Sequence, residues 1–307
     1  MKTSRKKDLS RLSTEQPNRA TVELDRKSPL EIARLINAED AKVAAAVKKA
    51  LPQIAKAIDL IAEALGHGGR LIYVGAGTSG RIAALDAAEC PPTFSTDPRT
   101  VQFVMAGGTK ALGSAVEGNE DSRKLGEKEI AKKKPGKNDV VVGIAASGRT
   151  PFTVAALEYA RKRGAKTIAV TCNRNSALAK IAHVAIVTEV GPEVVAGSSR
   201  MKAGTAQKMV LNMLSTGAMV RRGYVYGNLM VNVHLKNEKL VERGITILRQ
   251  ATGVDRTAAV RALKKSGNRV PVALVMLKAD VGPSEAVRAL SSSGGNVRRA
   301  ISAARAL

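Results

Sequence analysis

The feature that most constrains this chain is alternation. Five short apolar runs, at residues 71–74, 101–105, 140–145, 167–171 and 184–188, are separated by stretches long enough for helices. Runs rich in Val, Ile and Leu suit strands covered on both sides, and strand-helix alternation specifies a parallel sheet with helices on both faces. Ligands of such sheets gather at the carboxyl ends of the strands. Two of the runs end in glycine-rich loops at that place. LIYVGAGTSGR (71–81) passes from an apolar run straight into a helix-like segment, and VVVGIAASGRTPF (140–152) does so again. Each loop turns backbone N–H groups, hydroxyls and a positive helix end toward an anion.

A chain of 307 residues can bury a large core, either as one large domain with a small one or as two comparable domains. With aromatic residues at 2%, that core must rest on Ala, Val, Leu and Ile. No apolar run reaches about 18 residues and no signal-peptide pattern opens the chain, so the expectation is a soluble protein with no membrane partner, in the cytoplasm by default. Cys90 and Cys172 stand in no metal-ligand spacing, and His67, His183 and His234 are scattered, so no metal is expected. The net charge of +24 and the basic start MKTSRKKDLSR raise the question of nucleic acid. Stacking aromatics are scarce and no helix-turn-helix or RNA-binding signature is present, which argues against it. A positive field that attracts an anionic substrate is the more economical reading.

The chain divides into a basic N-terminal tail (1–20), a main domain (21–250) and a small helical module (251–307). Residues 30–65 have helical spacing, with Pro52 marking a start or a kink. Residues 198–220 and 229–248 suggest two further helices. Beyond them, 255–265, 271–278 and 283–290 are short amphipathic patterns, the middle one also compatible with a strand.

In GAGTSGR, Gly75, Gly77 and Gly80 permit close backbone approach, and Thr78 or Ser79 is placed to cap the next helix. The loop lacks both the acidic partner of a dinucleotide site and the Gly-Lys-Ser/Thr ending of a Walker A loop, so a small phosphorylated ligand fits best. In the second loop Ser147, Gly148, Arg149 and Thr150 precede Pro151, with Thr150 as N-cap and Pro151 at the first helical position. A third polar cluster, GSSRMKAGTAQK, sets Ser198, Ser199, Arg200 and Lys202 at the start of a long helix. Three polar helix starts predict one anionic pocket.

Two carboxylates lie beside these loops. Glu89 falls near the end of the helix begun at Thr78-Ser79, because Cys90 precedes Pro91-Pro92, and a helix C-terminus favours the acid form of a carboxyl. Glu120 follows Gly118-Asn119, and if Asn119 caps a new helix its dipole favours the ionised form. One acid and one base form a pairing used for proton transfer, although on spacing alone each residue also suits a surface salt bridge.

These strings together resemble one family closely. TEQPNRATVELDRKSP, GAGTSGR, LDAAECPPTF, AVEGNEDSR, VVVGIAASGRTPF, GSSRMKAGTAQKMVLNMLSTGAM and YGNLMVNV are similar to the N-acetylmuramic acid 6-phosphate etherases, within the sugar isomerase domain superfamily. The resemblance implies a Rossmann-like three-layer sandwich around a five-stranded parallel sheet, with a small C-terminal module like a ubiquitin-associated domain. It implies a homodimer without cofactor or metal that cleaves the D-lactyl ether of N-acetylmuramic acid 6-phosphate, giving N-acetylglucosamine 6-phosphate and D-lactate in cell-wall sugar recycling. It places Glu89 and Glu120 as the acid/base pair. Gly77, Thr78, Ser79, Ser147, Gly148, Arg149, Thr150, Ser198, Ser199 and Lys202 are the candidate substrate-binding residues. Two rivals share the fold: a non-catalytic sugar-phosphate sensor and an aldose–ketose isomerase.

Overall fold

A computed structural model describes residues 13–114, 117–235 and 237–306. Five parallel strands, β1 (Leu71–Gly75), β2 (Val101–Met105), β3 (Val140–Ile144), β4 (Lys166–Thr171) and β5 (Val184–Val187), form one sheet in the order β2-β1-β3-β4-β5. Leu71 pairs with Val101 on one side and Val140 on the other, so β1 and β3 lie side by side at the centre. Every residue of both is buried, the physical reason that they read as unbroken apolar runs.

Side chains alternate across the sheet. Leu71, Tyr73, Val140 and Val142 pack under α1 (Pro29–Lys49), α2 (Leu51–Gly66), α3 (Gly77–Phe94) and α7 (Lys202–Arg221). Ile72, Val74 and Val141 pack under α4 (Arg123–Lys132), α5 (Pro151–Lys162) and α6 (Ala177–Ile181). The result is the three-layer sandwich expected. Both cysteines are buried in it, and burial pushes their thiols up to about 12. Among the described residues, no helix is long and apolar enough to cross a membrane.

Four expectations need correction. The helix expected over 229–248 is α8 (Glu238–Thr252), capped by Asn237, whose side chain accepts from Leu240 N. The asparagines ahead of it favour turns, and Val231 and Val233 are buried from an irregular segment. The run over 271–278 takes the helical one of its two readings, within α10 (Val270–Ala279), and with α8, α9 (Arg256–Lys265), α11 (Pro283–Ser292) and α12 (Val297–Arg305) it builds a second core. That core begins at Val231, ahead of the expected boundary at 250/251, because Ile245, Ile247 and Leu248 of α8 belong to it.

Residues 13–20 are not a tail. They run in short 3-10 turns along the molecule, with Thr14, Asn18 and Thr21 buried. Asn18 Nδ2 donates to Pro192 O (3.4 Å) and Thr21 Oγ1 to Val194 O (2.8 Å). Residues 1–12, with most of the basic tail, lie outside the described residues. Lastly, α3 does not stop before Pro91-Pro92 but continues to Phe94, with Ser95 in the left-handed conformation as its cap. Cys90 and Phe94 are buried in the main core, and that packing outweighs the two amides the prolines remove.

Candidate active site

Strand order reverses between β1 and β3, and the crevice at their carboxyl ends is where doubly wound sheets bind ligands. The loop after β1 is tight: a methyl group on Gly75 would lie 2.8 Å from Gly80 N. Helix α3 starts at Gly77, so Thr78 and Ser79 stand in its first turn and neither is the cap. The N-cap is Ala76, which has no side-chain acceptor, and the first amides of α3 have no side-chain cap. The loop after β3 is as constrained. Gly148 has φ +64, and a methyl group there would lie 2.3 Å from Ser176 Oγ. Thr150 does occupy the N-cap of α5 with Pro151 following, yet its side chain makes no cap bond.

The third helix start differs. The carboxylate of Glu193, fully buried, accepts from Lys202 N (3.0 Å) and Ala203 N (2.9 Å), so α7 already has its anion. Two helix starts, not three, remain open to a ligand. Lys202 is itself 1% exposed, and its ammonium lies 2.5 Å from Glu39 Oε2, with Lys42 on the other oxygen. Its side chain faces α1.

A cavity of about 340 Å³ opens beside α3, lined by Gly77, Thr78, Arg81, Met105, Ala106, Ala111, Glu120, Ser198, Ser199 and Arg200. Three separate sequence segments thus meet around Glu120. Arg81 shapes one wall, donating from Nε to Leu112 O (3.1 Å) and from Nη2 to Ser114 O (2.9 Å), which ties down residues 112–114. Asn119 does not cap α4; Ser122 does, its hydroxyl accepting from Leu125 N. Glu120 lies outside α4 and beside the start of α5, where its carbonyl accepts from Phe152 N (2.9 Å).

The remaining candidates are placed as follows. Ser79 is buried and donates to Gln207 Oε1 (2.9 Å) on α7. Ser147 Oγ accepts from Arg149 N (3.2 Å), so that loop is folded on itself, and neither it nor Gly148, Arg149 or Thr150 lines the cavity around Glu120. Glu89 is exposed on α3, eleven residues beyond Thr78, roughly 16 Å along the helix axis. It does not line that cavity either. Because α3 continues to Phe94, Glu89 also lies before the last turn, and the argument from the helix end does not apply to it.

Two family profiles match the chain: the glucokinase regulatory protein N-terminal SIS domain over residues 53–161 and the SIS domain over residues 133–217. Among solved structures, a phosphoheptose isomerase from Francisella tularensis is similar over 63% of this chain and 100% of its own, with a TM-score of 0.51 and 19% identity. That likeness concerns the fold. Near-full-length similarity is found to proteins named N-acetylmuramic acid 6-phosphate etherase. The one from Clostridium beijerinckii is 49% identical over 96% of this chain and 97% of its own. That from Symbiobacterium thermophilum is 58% identical over 89% and 91%. This chain belongs to the N-acetylmuramic acid 6-phosphate etherase family.

Within this etherase fold, sequence reasoning named Arg200 but left it out of the substrate-binding candidates, and it singled out neither Glu193 nor Asn173. Arg200 lines the cavity whereas Lys202, two positions on, is buried against Glu39. Only the observed start of α7 distinguishes them. Glu193 gave no local signal, since it meets α7 from nine residues upstream. Asn173 gave none either: its amide accepts from Ser13 N and donates to Ala146 O (3.0 Å), joining residues 13–21 to the second glycine loop.

Proposed function

We propose that this protein cleaves the D-lactyl ether of N-acetylmuramic acid 6-phosphate, giving N-acetylglucosamine 6-phosphate and D-lactate in the cytoplasm. The observation that carries the reading is the meeting of Glu120 with the uncapped start of α3 in one cavity. A sugar phosphate held at that helix start, with help from the hydroxyls of Thr78, Ser198 and Ser199, brings its ring carbons to Glu120. The loop 147–150 does not line that cavity, but it stands at the uncapped start of α5, and the reading assigns it the remaining phosphate contacts.

An ether resists direct displacement. In the open-chain sugar, however, the C1 aldehyde acidifies the C2 proton, and the lactyl oxygen sits β to it on C3. Glu120 removes the C2 proton, the electron pair forms the C2–C3 double bond, and the C3–O bond breaks as Glu89 protonates the departing lactate oxygen. Water then adds at C3 and a proton returns to C2, which restores both carboxyls. Glu120 is assigned as base from its place in the cavity, and Glu89 as acid because the reaction needs a second proton carrier.

Glu89 stands exposed on the outer face of α3, one turn from Leu85, itself 53% exposed, and this reading has it serve the cavity of a second copy. The reading therefore calls for a homodimer. Both exposed apolar surface on α3 and an apolar groove between α2 and α7, lined by Leu51, Ile58, Met209 and Met213, suit such an assembly. Incubation with N-acetylmuramic acid 6-phosphate and an assay for D-lactate test the reaction. Solvent ¹⁸O entering at C3 is the expected signature of elimination and rehydration. Proton exchange at C2 without lactate release would favour the isomerase reading, and binding without turnover the sensor.

A further inference from the structure

We propose that Arg200 binds the carboxylate of the lactyl arm and is the residue that tells substrate from product. This rests on the etherase reading above. The substrate has two anionic groups. Its phosphate has a claim on the open helix starts, where uncapped amides point at it. Its carboxylate is attached to the carbon that bears the breaking ether oxygen, only a few bonds from the C2 proton that Glu120 removes. The reaction therefore brings two carboxylates of like charge into one cavity, and a cation must face the incoming one.

The cavity lining offers two cations, Arg81 and Arg200. Arg81 is committed, with donors on Leu112 O and Ser114 O. Arg200 stands on the opposite segment, just before α7, and its guanidinium makes no ion pair with another described residue. The nearest helix start gives it no competitor for that anion, because α7 is already closed by Glu193. A planar guanidinium matches a carboxylate in bidentate fashion, so Arg200 holds the arm and fixes the ether oxygen on C3. Once the bond breaks, N-acetylglucosamine 6-phosphate no longer has this anion, which leaves Arg200 without a partner and speeds release of the sugar.

The test compares two ethers of the same sugar phosphate: the natural lactyl ether and the 3-O-ethyl ether, which keeps phosphate and C3–O bond but lacks the carboxylate. Arg200→Gln is expected to lower kcat/KM for the lactyl ether on the order of 100-fold, mostly through KM, and to leave the ethyl ether within about threefold. Arg200→Lys should recover part of the loss. Equal losses on both ethers would assign Arg200 to the phosphate or to folding, and no loss would remove it from the site; either overturns the proposal. Binding gives a second readout that does not depend on turnover. In a Glu120→Gln background, calorimetry should find N-acetylmuramic acid 6-phosphate bound more tightly than N-acetylglucosamine 6-phosphate, with Arg200→Gln erasing the difference. A preference that survives the substitution sinks the inference alone. Failure of the unaltered protein to release D-lactate sinks the reading on which it rests.

Discussion

Glu120 is positioned by a contact at its own backbone and by contacts ahead of it in sequence. Arg81 restrains the chain before it, and Phe152 N holds its carbonyl at the start of α5. Glu120 therefore lines the cavity from a fixed backbone, the arrangement its proposed role as general base needs. Glu120→Gln keeps size and polarity but cannot accept the C2 proton. D-lactate release should fall about 10³-fold with the circular dichroism spectrum unchanged. At this scale the sequence pointed to Thr78, Ser198, Ser199 and Glu120 as neighbours, and they do line one cavity. It was unreadable where depth decides the role. Arg200 and Lys202 are two cations in one polar string, yet one is exposed at the cavity and the other is buried on Glu39.

Elements hold the site through close packing that glycine and buried charge permit. Helix α4 approaches α5 at Gly126, where a methyl group would lie 2.2 Å from Phe152 O. Backbone cannot yield as a side chain can. Gly126→Ala should cost about 1–3 kcal/mol in urea denaturation and, by pushing Phe152 away from Glu120, also lower activity. On the opposite layer α1 is tied to α7 by Glu39 and Lys202, both buried. Lys202→Met would strand the carboxylate and should cost about 3–5 kcal/mol, with KM little changed in the fraction that folds. Burial alone would raise Glu39, but the hydrogen bonds from Lys202 and Lys42 outweigh it and hold the carboxyl below its ordinary value of 4.5. A carboxyl lowered in the folded state stabilises fully above about pH 4.5, and the contribution disappears as pH falls through the folded value. Denaturation midpoints at pH 7 and pH 4 should therefore differ more in the unaltered protein than in Lys202→Met. The strands were legible because burial on both faces leaves apolar runs. The extent of α3 was not, because the core contacts of Cys90 and Phe94 lie far away in sequence.

At the scale of the whole molecule, the proposed homodimer is what would bring the two glutamates together. If each site takes Glu120 from one copy and Glu89 from the other, Glu89→Gln and Glu120→Gln are each inactive alone. Mixed and reassembled in equal amounts, they should regain about a quarter of the full activity, since half of the dimers are hybrids with one intact site. No recovery would place both residues in the same copy. The high positive charge, read in sequence as a field for an anionic substrate, is also gathered far from the cavity. At the amino ends of the strands a cleft of about 780 Å³ is lined by Arg70, Arg99, Lys132, Lys133, Lys134 and Arg222. Carboxylates neutralise half of these: Asp139 faces Arg70, Asp97 faces Arg99, and Glu129 faces Lys132. The second core was partly legible from its amphipathic patterns, but its reach back to Val231 depends on contacts that no local period records.

The strap formed by residues 13–21 has a practical corollary. Glu15 lies beside Gly197, next to Ser198 of the cavity lining, where a methyl group on Gly197 would be 3.4 Å from Glu15 Oε2. The start of the described chain thus packs beside the wall of the cavity assigned above to the substrate. Purification handles belong at the opposite terminus, after α12, and an enzyme assayed with an N-terminal handle would report the handle as well as the enzyme.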